Sequence, residues 1–247
     1  MRIPRIYTPQ PLAVRDSVTL ERAASQHLLT VLRLKPGASL VLFDGSGREF
    51  EARLDAGDNR RARILVTAER THHSESPLRI SLAQGISRSE RMDYTLQKAV
   101  ELGVAEIVPV VTERSVVRLN AEHAQRKREH WQRLVISACE QSGRVRIPPA
   151  HAPLSYTDFL SQPTDAAHKL LLDPEGSQAL TTLGRPVNGW IQLLAGPEGG
   201  LSEAEKAQAL ATGYTGVRLG PRILRTETAA LAALSLLQGL WGDLAGD

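Results

Sequence analysis

The 247-residue chain has little of what several classes of protein depend on. A single cysteine, Cys139, excludes an internal disulfide and is typical of a reducing compartment. No apolar run approaches the roughly 18 residues of a membrane-spanning helix, and the first residues lack the apolar segment of a secretion signal. These absences predict a cytoplasmic protein with no membrane partner. Because aromatic residues make up only 4% of the chain, the core must consist mainly of Leu, Val, Ile and Ala.

The chain also lacks the motifs of three common kinds of site. No GxGxxG follows a predicted strand, which argues against a dinucleotide-binding fold. His72 and His73 are adjacent but have no HExxH pattern or cysteine pair, so we expect no metal. Ser202 is one residue short of a GxSxG elbow, and no histidine follows it, which argues against a serine hydrolase.

The charge of the chain is distributed unevenly. Residues 1–72 hold 12 Lys and Arg against 8 Asp and Glu, a net charge of +4, whereas residues 73–247 hold 18 against 19, a net charge of −1. A basic segment joined to a near-neutral body indicates a polyanionic partner such as RNA. A solvated basic surface with no partner is the alternative interpretation.

Two apolar runs near the C-terminus, at 191–195 and 217–219, each end in a glycine loop. The first runs into GPEGG and the second into GPRILRTETA. After GPEGG, Ser202 and Glu205 fit a capping box at the start of a helix. After the second loop, an Ala- and Leu-rich helix is predicted from Thr226 to about Trp241. Tandem strand–loop–helix units predict a parallel α/β sheet, whose ligands lie at the carboxyl ends of the strands.

Other segments complete this α/β fold. Apolar runs predict strands at 78–83, 106–111 and 169–172. The last of these ends in DPEG, which supplies a third loop near the two glycine loops. Apolar spacing predicts helices at 91–102 and 120–143, with Cys139 as a small core residue of the second. Residues 144–168 are rich in Pro and polar residues and are interpreted as connections.

The first 72 residues favour β structure. Strands are predicted at 14–20, 39–43, 49–54 and 62–68, with a short helix at 21–32. The sequence DGSG at 44–47 is a strong hairpin signal. Short strands joined by tight turns predict a small barrel, which would be followed by a polar linker at 71–78.

The two loops carry a resemblance to a known family. GPEGGLSEAE and RLGPRILRTETAALAAL are similar to the C-terminal signature of the SPOUT RNA methyltransferases. More narrowly, they resemble the branch that methylates N3 of a uridine in bacterial 16S ribosomal RNA. RIYTP, HLLTVLRLKPG and LFDGSGREF resemble the PUA-like domain of this branch, and QKAVELGV, TERSVV and ACEQSGR resemble further segments of the family. The resemblance covers nearly the whole chain.

The resemblance implies an architecture and a set of partners. It implies a PUA-like RNA-binding β-barrel at 1–72 and, at 76–247, a SPOUT methyltransferase domain whose parallel sheet ends in a deep C-terminal trefoil knot. The cofactor would be S-adenosyl-L-methionine (SAM), and the chain would act as a homodimer. The substrate would be a uridine near the decoding site of 16S rRNA, expected on the assembled small ribosomal subunit, with naked rRNA as the other possible form. A ribose 2′-O methyltransferase and a non-catalytic RNA-binding protein are the alternatives.

The resemblance also implies site residues. Arg225 is the expected catalytic residue, which would stabilise an anionic uracil or orient a phosphate. Glu198 is the nearest acidic candidate for a base, although capping backbone amides is the role we expect for it. The predicted cofactor-binding residues are Leu171, Leu172, Gly196, Pro197, Glu198, Gly199, Gly200, Leu219, Gly220, Ile223, Leu224, Arg225, Thr226, Thr228 and Ala229. The predicted RNA-binding residues are Arg2, Arg5, Arg33, Lys35, Arg88, Arg91 and Arg114.

Overall fold

The computed structural model describes residues 3–58, 61–71, 74–115 and 120–244, and the chain divides into two compact units. The first unit contains Met1–Glu75 and Cys139–Ile147, and the second contains Ser76–Ala138 and Pro148–Asp247. The expected domains, 1–72 and 76–247, would place residues 139–147 in the second domain. The structure groups these residues with the first unit instead. The reason is a set of contacts between residues distant in sequence. Glu75 accepts hydrogen bonds from the Arg144 side chain and from the Val145 and Arg146 amides.

The first unit is built on one five-stranded sheet. Its strand order is β1-β3-β4-β5-β2, and apart from the parallel pair β1–β3 its neighbouring strands are antiparallel. The predicted hairpin is confirmed, with Phe43 opposite Glu49 and left-handed Gly45 and Gly47 in the turn. Closure of this sheet into a barrel stays a prediction. The elements are β1 Arg5–Tyr7, β2 Ser17–Thr19, α1 Arg22–Gln26, a π-helical turn at His27–Val31, β3 Ser39–Phe43, β4 Glu49–Asp58 and β5 Arg61–Arg70.

The second unit is built on the predicted parallel sheet, which has seven strands in the order β10-β12-β9-β11-β6-β7-β8. Every pair of neighbouring strands in this order is parallel. Its strands are β6 Arg79–Gly85, β7 Glu106–Val111, β8 Leu154–Ser155, β9 His168–Leu172, β10 Gln178–Ala179, β11 Trp190–Ala195 and β12 Thr215–Arg218. Its helices are α2 Ser89–Glu101, α3 Ala121–Ser142 (whose last residues belong to the first unit), α4 Tyr156–Ser161, α5 Glu203–Ala211 and α6 Thr226–Trp241, with a 3-10 turn at Leu180–Thr182.

The helices of the second unit follow from local sequence signals. α2 buries Met92, Leu96, Ala99 and Val100 along one face, as the apolar spacing predicts. The chain leaves α2 through Gly103, whose φ of +77° favours glycine. The predicted capping box at Ser202 and Glu205 is confirmed at the start of α5. The expectation of irregular connections at 144–168 is wrong, because β8 and the short helix α4 lie there.

Cys139 is a packed residue rather than a reactive thiol. Its side chain is fully buried, and burial raises the pKa of the thiol to about 12. The thiol lies 3.6 Å from the carbonyl oxygen of Arg146, in the same unit. Within the ranges that the structure describes, no helix is long and apolar enough to cross a membrane.

Candidate active site: a cavity between two glycine loops

A cavity of about 360 Å³ opens at the carboxyl ends of β9, β11 and β12. This volume lies within the roughly 300–1,000 Å³ of small-molecule sites. Three chain segments supply most of its lining: 171–174 at the end of β9, 195–201 at the end of β11, and Val217 with residues 219–226 except Pro221 at the end of β12. The edge of the sheet at which the sequence places a ligand therefore carries a cavity of suitable size.

Most of the residues predicted to bind a cofactor line this cavity. Thr228 is the exception, since it is exposed on the first turn of α6 and is not part of the lining. The predicted residues that line the cavity are Leu171, Leu172, Gly196, Pro197, Glu198, Gly199, Gly200, Leu219, Gly220, Ile223, Leu224, Arg225, Thr226 and Ala229.

The first glycine loop, residues 196–200, is packed tightly against its neighbours. A Cβ atom on Gly85, at the end of β6, would lie 2.5 Å from the nitrogen of Pro197, so only glycine allows this approach. Gly200 adopts a φ of +69°, and its amide donates to the carbonyl oxygen of Pro197. Arg114 donates to the carbonyl oxygen of Gly199 at 2.9 Å. The loop is therefore fixed in place by both packing and hydrogen bonds.

Gln84 ties this loop to two other elements, and the sequence analysis did not identify it. Its Nε2 lies 3.2 Å from the carbonyl oxygen of Gly196, 3.1 Å from that of Gly85 and 3.0 Å from Oγ1 of Thr226. Thr226 in turn donates to the carbonyl oxygen of Gly196 at 2.6 Å. One buried amide therefore joins the end of β6, the first glycine loop and the start of α6. Because the partners are 112 and 142 residues away, no local signal reveals this role.

The second glycine loop, residues 219–225, is much more open. Gly220 has a φ of +74°, and a Cβ atom there would meet nothing within 4 Å. Ile223 is 86% exposed although it is apolar, and Arg222 and Arg225 are also exposed. Arg225 is the residue immediately before α6, in an extended conformation and with no capping hydrogen bond from its side chain. These side chains are free to contact a ligand or substrate.

The third loop closes the site from β9. A Cβ atom on Gly176 would lie 2.8 Å from the carbonyl carbon of Gly216 in β12, so the loop packs directly on that strand. The amide of Asp173 donates to the carbonyl oxygen of Val217 at 3.0 Å. Lys206 on α5 pairs with Asp173 at 3.3 Å and with Glu203 at 3.0 Å. Lys206, Asp173 and Glu203 also line the cavity, and the sequence analysis did not predict them.

Arginine side chains surround the cavity. Arg91, whose side chain is 40% exposed, and the exposed Arg114 line it, and both were predicted as RNA contacts. With Arg222 and Arg225 they place four guanidinium groups at one site. Such a concentration of fixed positive charge suits an anionic partner.

The carboxylate of Glu198 is held by two neighbouring arginine residues. Its Oε1 accepts a hydrogen bond from the backbone amide of Arg88 at 2.9 Å. The guanidinium of Arg91 lies 3.8 Å from the same oxygen. The capping role expected for Glu198 is therefore present, and it uses one of the two carboxylate oxygens.

The other predicted RNA contacts differ in their accessibility. Arg33, Lys35 and Arg88 are exposed, and Arg33 has a φ of +53°, which is uncommon for a residue with a side chain. Arg5 is less accessible, because its side chain is only 10% exposed and pairs with the buried Glu49, and its contact with RNA stays a prediction. Arg5 also donates to the carbonyl oxygen of Gly143 at 3.1 Å, so it supports the first unit. Arg2 lies outside the described residues.

Comparison with known proteins identifies the family. A family model of an RNA methyltransferase domain matches residues 74–238, and a model of an RNA methyltransferase PUA domain matches residues 20–67. The chain belongs to the RNA methyltransferase family. The resemblance to RNA methyltransferases and the PUA-like character of the first unit are thereby confirmed. The matched methyltransferase region contains every residue that lines the cavity.

Curated relatives of this RNA methyltransferase match along nearly the whole chain. Ribosomal RNA small subunit methyltransferase E of Buchnera aphidicola subsp. Schizaphis graminum is 34% identical over 243 residues, which cover 98% of both chains. The protein of the same name from Bacillus subtilis is 28% identical, with 97% of this chain and 96% of that protein covered.

Two solved structures are similar to this RNA methyltransferase over nearly its full length. A ribosomal RNA small subunit methyltransferase E from Neisseria gonorrhoeae, bound to S-adenosyl methionine, has a TM-score of 0.93 and 44% identity, with 98% of this chain and 99% of that chain covered. A putative methyltransferase from Legionella pneumophila, in complex with bound SAM, has a TM-score of 0.94 and 38% identity, with 99% and 100% covered.

Proposed function

We propose that the chain binds SAM in the cavity between the glycine loops and methylates N3 of a uridine in the 16S rRNA of the small ribosomal subunit. The observation that carries the proposal is the position of the cavity. It lies at the carboxyl ends of three parallel strands, and both glycine loops line it. The SAM-bound proteins from Neisseria gonorrhoeae and Legionella pneumophila, similar over nearly the whole chain, support the choice of cofactor.

The residues of the cavity fit SAM chemically. Leu171, Leu172, Leu219 and Ile223 give apolar walls for a nucleobase. The open faces of Gly200 and Gly220 leave room for a ligand next to the backbone. The carboxylates Asp173, Glu198 and Glu203 line a site that would hold a cationic cofactor. When bound, SAM supplies a methyl group on a sulfonium, and the protein supplies position and electrostatics.

The cationic groups fit the acceptor. Uracil that loses its N3 proton carries negative charge on the ring, and a guanidinium beside it stabilises that charge. Arg225 is exposed at the start of α6 and lines the cavity, so we assign it this role. Arg91 and Arg114 are suited to RNA phosphates near the cavity.

The first unit is assigned to RNA binding. The PUA match and the net charge of +4 over residues 1–72 support this assignment. Arg33 and Lys35 are the candidate contacts on its surface, because both are exposed. A protein that modifies ribosomal RNA in bacteria acts in the cytoplasm, so the proposal includes that location.

The proposal also includes a C-terminal knot. After β11 the chain continues through α5 to β12, which lies beyond β9 in the strand order. The chain then returns, because α6 packs against β11, β6 and α2. The 3-10 turn in the connection between β9 and β11 also packs against α6. A C-terminal segment that returns past this connection is consistent with the threading that the resemblance implies.

A homodimer is the last part of the proposal. Leu236, Leu240 and Leu244 are 40%, 41% and 55% exposed at four-residue spacing on and just after α6. Two exposed leucines one turn apart on a helix, with a third just beyond its end, suit a second copy of the chain. The Ala-rich side of the helix does not supply this surface, because Ala230 and Ala233 are buried within the unit itself.

The experiment that tests the reaction uses labelled SAM and small ribosomal subunits from cells without the modification. Naked 16S rRNA is treated in parallel, and the digested nucleosides are identified by mass spectrometry. We expect labelled 3-methyluridine, which must depend on the added protein. A ribose-methylated nucleoside would instead indicate a 2′-O methyltransferase, and SAM binding without transfer to either RNA would contradict the proposed substrate.

A further inference from the structure

The two carboxylate oxygens of Glu198 have different surroundings. Oε1 accepts from the Arg88 amide and lies near Arg91, so the carboxylate is held in one position. Oε2 is buried and has no hydrogen-bond partner among the residues that the structure describes. A buried acceptor without a donor is costly, and such a group calls for an explanation. Glu198 lines the cavity and its side chain is 17% exposed, so a small rotation of the carboxylate would present Oε2 to a donor on a bound ligand.

The other carboxylates of the cavity already have a cationic partner. Asp173 and Glu203 both pair with Lys206, at 3.3 and 3.0 Å. Among the cavity carboxylates that the structure describes, Glu198 differs in having a buried oxygen without a hydrogen-bond partner. The cationic groups that line the same cavity are Arg91, Arg114, Lys206, Arg222 and Arg225.

We propose that Oε2 of Glu198 accepts the N3 proton of the uridine during methyl transfer. This inference rests on the proposed function. The N3–H bond breaks and its proton forms a bond to Oε2. The electron pair left on N3 forms the new bond to the methyl group, and the S–CH₃ pair stays on sulfur, which changes from a sulfonium to a neutral thioether. The carboxylic acid then releases its proton to water, so that atoms and charge balance.

The contact between Oε2 of Glu198 and the N3–H group would also discriminate between nucleobases. Uracil presents an N–H donor at N3, which a carboxylate oxygen accepts. Cytosine presents a lone pair at this position, which the carboxylate repels. A fixed Glu198 would therefore favour uridine over cytidine before any chemistry takes place.

The test compares Glu198→Gln with the wild type. Glutamine keeps the shape of the side chain, and its carbonyl oxygen can accept from the Arg88 amide, but it cannot take up the proton. We expect the affinities for SAM and S-adenosylhomocysteine, measured by calorimetry, to stay within about twofold, while methyl transfer falls by about 100-fold or more. Glu175→Gln is the matched control, because Glu175 is 81% exposed, pairs with Lys206 and does not line the cavity.

The dependence of the rate on pH separates proton transfer from a structural role. If the Glu198 carboxylate takes the N3 proton, the reaction does not require uracil ionised in solution, and the wild-type rate should be flat from about pH 7 to pH 9. Without the acceptor the uracil must ionise in solution, so the rate of Glu198→Gln should rise by about tenfold for each pH unit. If Glu198→Gln does not fold, the dependence of the wild-type rate on pH tests the inference by itself. A wild-type rate that rises by about tenfold for each pH unit would overturn it.

The other outcomes are equally specific. An unchanged rate in Glu198→Gln overturns the inference and leaves the proposed function intact. Loss of affinity for SAM but not for S-adenosylhomocysteine would show that Oε2 faces the sulfonium, and loss of both would show that it faces the ammonium group. A wild-type protein that forms no 3-methyluridine contradicts the proposed function itself.

Discussion

The two glycine loops look alike in sequence but differ in how they are held. Residues 196–200 are fixed by Gln84, by Arg114 and by contact with Gly85. Residues 219–225 are open, with Ile223 86% exposed and Arg222 and Arg225 at the surface. The difference indicates a division of work. We propose that the first loop is a rigid wall for the cofactor, and that the second supplies side chains that contact the substrate and cover the cofactor.

The largest loss of stability and of SAM binding should come from a substitution that disturbs the first glycine loop, residues 196–200. Gly85→Ala places a Cβ atom 2.5 Å from the nitrogen of Pro197, so we expect a loss of about 3 kcal/mol of stability and loss of measurable SAM binding. Gly220→Ala is the matched change in the open loop, where a Cβ atom meets nothing within 4 Å. Its positive φ should cost only about 1 kcal/mol. Chemical denaturation measures both, and equal losses would contradict the contrast between the loops.

A large effect on the reaction alone should come from the open loop. Arg225→Ala should reduce methyl transfer by about 100-fold or more, because the charge on the uracil loses its guanidinium partner. The affinity for SAM, measured by calorimetry, should remain. Arg218→Ala is the control, since Arg218 is exposed on β12 and does not line the cavity. Loss of SAM binding in Arg225→Ala would mean that this side chain holds the cofactor instead.

An intermediate loss of stability and of SAM affinity should follow from removal of the Gln84 side-chain amide, which holds the first glycine loop in place. Gln84→Leu removes the donor shared by Gly85, Gly196 and Thr226. We expect about 2–3 kcal/mol less stability and about tenfold weaker SAM binding. Gln208→Leu, at an exposed position of α5, is the control. If Gln84→Leu lowers stability but leaves SAM affinity unchanged, Gln84 supports the fold without positioning the cavity.

The smallest effect should come from the exposed isoleucine of the open loop. Ile223→Ser leaves the packed core untouched, so the melting temperature should stay the same. The affinity for SAM should fall by about fivefold, equivalent to about 1 kcal/mol, because apolar surface that would cover the cofactor is lost. Calorimetry measures this change. An unaltered affinity would remove Ile223 from the cofactor site.

Local signals allowed much of the fold to be predicted. The bounds of β3, β7 and α6 agree with the sequence analysis, because apolar runs or a strong helix start mark each of them. β8 and α4 escaped prediction since they lie in a segment rich in Pro and polar residues. The lining of the cavity was largely anticipated, because glycine loops at strand ends are a sequence signal.

What escaped prediction depends on partners distant in sequence. Arg5 was predicted as an RNA contact, but its pairing with Glu49, 44 residues away in the sequence, leaves its side chain only 10% exposed. Gln84 and the Asp173–Lys206 pair contribute to the site through contacts that only the folded chain creates. For Glu198, the sequence could suggest a cap or a base, but it could not separate the surroundings of the two oxygens.

Hydrogen exchange of the amides, measured with and without SAM, tests the central claim most directly. In the free protein, residues 219–225 should exchange faster than residues 196–200, because the second loop has fewer contacts. Saturating SAM should slow exchange in both segments and at the start of α6. Equal rates in the free loops would contradict the contrast between them. Protection by SAM elsewhere in the chain, with none at these loops, would contradict the site itself.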